Sequence, residues 1–167
     1  IDAFLVSHLE DSFTPSGDLS DTYYPELADL RGRIESARQH VRSTLNALLN
    51  DAGMADAFHD KYITDRGGRM VIPVRVQARK RLGIVHDTSQ SGETAFVEPT
   101  AVVEQQNEIK RLDAELRRTI AKILAEMSRE IGDAYTDIID AVKAATLIDL
   151  ASARARLGRR LGATLPV

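Results

Sequence analysis

In the run GRMVIPVRVQARKRLGIVHD, residues 68–87, Met70, Ile72, Val74 and Val76 alternate with Val71, Pro73 and Arg75. A period of two is that of a half-buried strand, because successive strand side chains point to opposite faces. Gly67-Gly68 separates this run from Lys61-Tyr62-Ile63-Thr64, which is a hairpin signal. Two further short runs, GIVHD and TAFVE, flank the polar stretch Thr88–Glu93. Pro73 has no N–H to give to a ladder, so its strand is expected to be an edge strand or to be paired on its other side.

On either side of residues 61–98 the period changes. Upstream, Leu27, Leu30, Ile34, Ala37, Val41, Leu45 and Leu48 recur at steps of three and four, which predicts a long helix ending near Gly53. Asp21 is its expected N-cap, with Pro25 in the first turn. Ile1–Glu10 reads as the tail of an earlier helix, and residues 11–21 as a loop. Downstream of Pro99 the same rhythm runs through Val103, Gln106, Leu112, Leu116, Ile120, Ile123, Met127 and Ile131, and resumes after Gly132 with Ile138, Val142, Ala145 and Leu150. At 1.5 Å per residue the two helices would be roughly 46 and 50 Å long. The expected fold is therefore mainly α with a small β insertion: two long antiparallel helices carrying a small antiparallel sheet at their tip. Its divisions fall at residues 1–60, 61–98 and 99–167. Leu30, Ile34, Val41 and Leu45 are expected to face Leu112, Leu116, Ile120 and Ile123.

The chain has 167 residues, 43% hydrophobic and 28% charged, the composition of one globular domain and not of a disordered segment. With no cysteine, disulfides, thiolate metal sites and cysteine nucleophiles are excluded. No apolar run approaches the roughly 18–20 residues that cross a bilayer, so no membrane partner is expected and a cytoplasmic location is the default. The start at Ile1 and the end at Val167 read as those of a piece of a longer chain.

The net charge of −3 conceals a segregation. Between Asp60 and Arg81, Lys61, Arg66, Arg69, Arg75, Arg79, Lys80 and Arg81 stand against Asp60 and Asp65 alone. That window is an electrostatic footprint for a polyanion. Arg66, Arg69, Arg75, Arg79, Lys80 and Arg81, with the hydroxyls of Ser89 and Ser91, are the residue types that a phosphate-contacting surface needs. The bland alternative is a charged run that keeps a sheet edge soluble. A smaller basic cluster is Arg154, Arg156, Arg159 and Arg160.

Other chemistries find little footing. None of the five lysines follows a glycine, so no phosphate-binding P-loop can form. His8, His40, His59 and His86 are scattered and make no metal pair. Asp133, Asp137 and Asp140 read as a solvated helix face. His86, Asp87 and Ser91 hold triad residue types, but neighbours in one strand point to opposite faces, and the stretch reads better as a polar turn.

The longer segment, residues 68–116, resembles the middle of the second bacterial MutS type. The matching residues are Gly68, Arg69 and Val71–Val74, then Gly83–Asp87, Ser89, Ser91, Gly92, Thr94, Phe96, Glu98, Pro99 and Asn107. Gly17-Asp18-Leu19-Ser20-Asp21, followed by Leu27 and Leu30-Arg31, is similar to the family's entry into the first lever helix. The resemblance implies a core, lever and clamp region, with the clamp as the β insertion between lever helices. It implies a non-catalytic, nucleic-acid-embracing fragment of a DNA repair or recombination ATPase. ATP and Mg²⁺ would belong to the longer protein, as would a homodimeric state and any C-terminal nuclease domain. Branched DNA and the ribosome are the family's associated partners. The aromatic wedge of true mismatch recognition has no counterpart here, and Gln105, Gln106 and Glu93 depart from the family's usual residues. The rival reading is a coupling or dimerisation module that transmits ATPase motion or meets a protein or ribosomal partner.

Overall fold

The computed structural model describes residues 2–58 and 60–163, so His59 and the terminal Leu165-Pro166-Val167 lie outside the described residues. The elements are α1 (Ala3–Ser12), α2 (Pro25–Asn50), a 3-10 turn (Ala52–Ala57), β1 (Thr64–Asp65), β2 (Met70–Arg75), α3 (Arg79–Leu82), β3 (Gly83–Thr88), β4 (Thr94–Pro99), α4 (Thr100–Asp133) and α5 (Tyr135–Leu161). The fold is mainly helical with one small antiparallel sheet, as the periodicities predicted. It divides into two compact units, Tyr24–Ile120 and Ile1–Tyr23 with Ala121–Val167.

In the Tyr24–Ile120 unit the strand order is β1-β2-β4-β3, every neighbouring pair antiparallel. Gly67 and Gly68 both have positive φ, 62° and 73°, between Arg66 and Arg69, which exchange backbone hydrogen bonds of 2.9 and 3.2 Å. This is the two-residue hairpin turn whose twist matches that of the strands and which favours glycine at both central positions. The alternation of the ladder then turns the Met70 N–H and C=O away from β1. There the register brings Met70 opposite Pro99, the last residue of β4, which has no N–H to give, and the Gln106 side chain takes the strand's place. Its Oε1 accepts the Met70 N–H at 2.7 Å and its Nε2 donates to the Met70 carbonyl at 2.9 Å. The same parity points the Pro73 nitrogen away from β4, on a side that β1 no longer reaches. On that side an isolated bridge, Phe58 to Val74, takes the place of a continuous ladder, so the missing donor falls at the edge of the sheet.

Ile72 and Val74 of β2, with Ala95 and Val97 of β4, pack on Val41, Leu45 and Leu49 of α2 and on Val102 and Ile109 of α4. The sheet thus shares one core with the helix ends that carry it. Burial in β2 extends over Val71–Val74 without alternation, which corrects the half-buried reading: Val71 and Pro73 on the second face are covered as well.

Leu30 and Ile34 cluster with Leu112 and Leu116, and Arg38 reaches Asp113 at 3.4 Å, so α2 and α4 run antiparallel within this unit. The expected seam is right at these residues and wrong beyond them. With Leu30–Ile34 opposite Leu112–Leu116, an antiparallel partner of Val41 falls between Val102 and Ile109, which is where the structure places it. The expected cap is also corrected: Tyr24 is the N-cap of α2, without a side-chain hydrogen bond, and Pro25 occupies the first turn.

Because β2 and β3 are both antiparallel to β4, they run parallel to each other, and residues 76–82 cross from the end of one to the start of the other. The crossover lands on Gly83, paired with Pro99. A Cβ at Gly83 would lie 2.0 Å from the Glu98 carbonyl oxygen and 2.8 Å from the Pro99 Cα, both backbone atoms. Gly83→Ala is therefore expected to destabilise the chain by about 1–3 kcal/mol, the range for overpacking. A lower denaturant midpoint would show it, and a midpoint equal to wild type would refute the close approach.

In the other unit, α1 begins at its Asp2 cap, whose side chain accepts the Phe4 N–H at 3.0 Å. His8 Nδ1 lies 2.9 Å from Glu130 Oε2, and the His8 ring stacks on Tyr23 with centroids 5.7 Å apart. Leu5, Leu19, Ile123 and Met127 are buried. None of the described residues of α5 is buried, and Leu147, Ile148, Leu157 and Leu161 stand exposed along it. Among the described residues, no helix is long and apolar enough to cross a membrane.

Candidate nucleic-acid interface

Strand alternation sorts the basic residues. Ile72 and Val74 face the helices, so Arg75 projects from the opposite face and is exposed. It pairs in register with Thr94, at the end of the sheet closed by the Ser89–Glu93 turn. In that turn Ser89 Oγ accepts the Thr94 N–H at 3.1 Å and lies 3.2 Å from Ser91 Oγ, while the Gly92 N–H donates to the Ser89 carbonyl at 2.9 Å. Gly92 takes φ 72°, a left-handed value that glycine adopts without strain. Arg75, Ser89 and Ser91 thus share one end of the sheet.

Arg79, Lys80 and Arg81 are carried by the one-turn helix α3 on the crossover, with Lys80 and Arg81 exposed and Arg79 partly so. Val76 and Leu82 anchor the crossover in the core, which leaves the basic side chains between them to solvent. Among the described residues, Arg75, Arg79, Lys80 and Arg81 make no ion pair.

Arg66 and Arg69 are placed differently, and this changes the role expected of them. The Arg66 guanidinium lies 4.1 Å above the Phe96 ring, donates from Nε to Asp87 Oδ2 at 3.2 Å, and donates from Nη1 to the Asp65 carbonyl at 2.8 Å. Cation–π stacking and an ion pair hold it on the sheet. Arg69 Nη1 donates to Glu98 Oε1 at 2.8 Å, and Nη2 donates to Asn107 Oδ1 on α4 at 2.6 Å. Glu98 is 1% exposed, and its other oxygen, Oε2, lies 2.7 Å from His86 Nε2. A buried carboxylate held by a guanidinium and an imidazole cannot give up the guanidinium cheaply. The two arginines are thus occupied by carboxylates, and the cations left to meet a polyanion are those of β2's end and of the crossover.

His86 spends its Nε2 on Glu98, and Ser91 Oγ pairs with Ser89, so among the described residues His86 and Ser91 are not joined as a base to a nucleophile. Among the described residues, no three histidine, aspartate or glutamate side chains converge as metal ligands would. Sequence reading named Glu98 as a motif match and Gln106 as a helix position and a departure, and assigned neither the contacts that they make here. The signal for Glu98 was an acid inside the otherwise apolar run TAFVEP, where burial demands a partner.

The arrangement is that of a helical hairpin bearing a small cationic sheet, the class of module that the MutS-like motif implied. The chain is 40% identical over 163 residues to Endonuclease MutS2 of Thermomicrobium roseum, covering 97% of this chain and 20% of that protein. It is 36% identical over 164 residues to Endonuclease MutS2 of Pelotomaculum thermopropionicum (98% and 21%), and 34% identical over 166 residues to that of Carboxydothermus hydrogenoformans (99% and 21%). No family model matches the chain. Along nearly its whole length it is a MutS2-like segment, and it spans about a fifth of the length of the curated relatives it matches.

Proposed function

We propose that this chain is the core, lever and clamp region of a MutS2-like protein, a module that embraces nucleic acid and carries no catalytic group of its own. Arg75, Arg79, Lys80 and Arg81 contact the phosphate backbone without reading bases, and the Ser89 and Ser91 hydroxyls contribute at the same end of the sheet as Arg75. Arg69 is committed to the buried Glu98, and Arg66 is engaged with Asp87 and the Phe96 ring at the surface of the sheet. The observation that carries this reading is the division of the six candidate cations into two held by carboxylates, Arg66 and Arg69, and four that make no ion pair among the described residues. Phosphate contacts of this kind are sequence-independent and fall steeply with salt. Glu93, exposed in the serine turn, opposes a close phosphate there and favours the crossover as the main contact.

ATP and Mg²⁺ are held by other parts of the longer protein, since no Gly-Lys step exists in this chain. The test is binding of the 167-residue chain to duplex DNA, branched DNA and structured RNA at low and moderate salt. Salt-sensitive binding supports the proposal, and the preferred ligand names the partner. Failure to bind any of them supports the rival reading, a coupling or dimerisation module, for which the exposed leucines of α5 are the favouring observation.

A further inference from the structure

We infer that Glu98 is a positioning residue: through His86 it fixes the register of the β3–β4 hairpin, and through Arg69 it ties that hairpin to α4. The inference rests on the proposed function only for what the hairpin is positioned to do.

β3 needs such a device. It is the outer strand beyond β4, and Ile84–Thr88 are all exposed. Its ladder is broken by an irregularity between Val85 and Asp87, with His86 as the extra residue. The bulge locally interrupts the ladder, and a strand with neither face buried has little to specify its register, while a slip of one residue would exchange its two faces. In the observed register Val85 pairs with Val97 and Asp87 with Phe96, which puts Asp87 under Arg66. The Thr88 N–H, which parity turns away from β4, is taken locally by Asp87 Oδ1 at 2.8 Å. The slipped strand would lose the Arg66 and Glu98 bonds and would swing the Ser89–Gly92 turn away from Arg75.

Glu98 opposes that slip from the neighbouring strand. It is buried, it stands next to the β4–α4 junction, and its two oxygens serve two different elements. Oε2 holds the bulge residue His86 at 2.7 Å, and Oε1 holds Arg69 at 2.8 Å at the foot of β2. Arg69 in turn reaches Asn107, two turns into α4, at 2.6 Å. A displacement of the first turns of α4 therefore reaches the bulge through three short, charge-assisted bonds rather than through packing alone. The result is a clasp between the helix and the hairpin that carries the serine turn.

The test compares His86→Leu, which removes the donor, with His86→Gln, whose amide can still donate to Glu98. His86 is partly exposed, so both variants can fold. Amide hydrogen exchange of residues 83–94 reads the clasp, and binding to a short DNA duplex across a salt series reads its consequence. His86→Leu should speed exchange in β3 and the serine turn at least tenfold, with the rest of the sheet unchanged, and weaken duplex binding about threefold with the salt slope unaltered, because residues 83–94 carry hydroxyls and no lysine or arginine. His86→Gln should restore both. Wild-type exchange in His86→Leu would overturn the clasp. Faster exchange in both variants to the same extent would also overturn it, since the donor would then be irrelevant. If the wild-type chain bound none of duplex DNA, branched DNA and structured RNA, the nucleic-acid reading would fall, and the exchange comparison would still decide the clasp.

Discussion

Arg69→Met should lower the stability of the chain by about 3–5 kcal/mol, the cost of leaving one member of a buried ion pair without its partner. Glu98 is 1% exposed and takes its charged hydrogen bonds from Arg69 and His86. Methionine fills most of the arginine stem's volume and removes only the charge and the two hydrogen bonds, to Glu98 and to Asn107. What remains is a carboxylate screened by one imidazole in a place that water does not reach. The double change Arg69→Met with Glu98→Met should recover most of the loss, because replacing a whole buried pair by apolar groups is often close to neutral. Urea unfolding at constant m-value gives the numbers. A single variant within about 0.5 kcal/mol of wild type would mean that the pair is solvated, and that Arg69 is available to phosphates after all.

Val41→Asp is expected to be comparably damaging, at about 3–5 kcal/mol. Val41 is fully buried where α2, the sheet and α4 meet, in one cluster with Ile72, Val97, Val102 and Ile109. The change removes apolar burial and inserts a carboxylate with no cation in that cluster. Ser43→Asp, two residues on and exposed, is the control and should shift the midpoint by no more than about 0.5 kcal/mol. Equal midpoints for the two aspartate variants would mean that the sheet does not pack on the helix pair as described.

Much of this architecture was readable in the residues. The alternation in Met70–Val76, the Gly67-Gly68 step and the stripes from Leu27 and from Val103 each specify local structure, and each became the element it announced. What stayed hidden depends on residues distant in the chain. Arg66 meets Asp87 across 21 positions and Arg69 meets Glu98 across 29, so a count of basic residues saw six equivalent cations where the fold holds two of them in place. The helix seam was misjudged for the same reason: period shows which face is apolar, and only the antiparallel register decides which residue meets which. Full burial of Val71–Val74 escaped notice because a strand covered on both faces by neighbouring elements can still carry an alternating pattern. The motif resemblance supplied what patterning could not, a reason to treat the basic sheet as an interface.

The proposed interface reduces to one quantity, the number of phosphates that the crossover cations would neutralise. Each backbone contact contributes about 0.9 to the slope of log affinity against log salt on duplex DNA. Arg79→Ala/Lys80→Ala/Arg81→Ala should therefore flatten the slope of the chain by roughly 2–3, while a charge-matched change of Arg156, Arg159 and Arg160 on α5 leaves most of it intact. An unaltered slope in the crossover variant would contradict the assignment of these residues to the nucleic-acid surface.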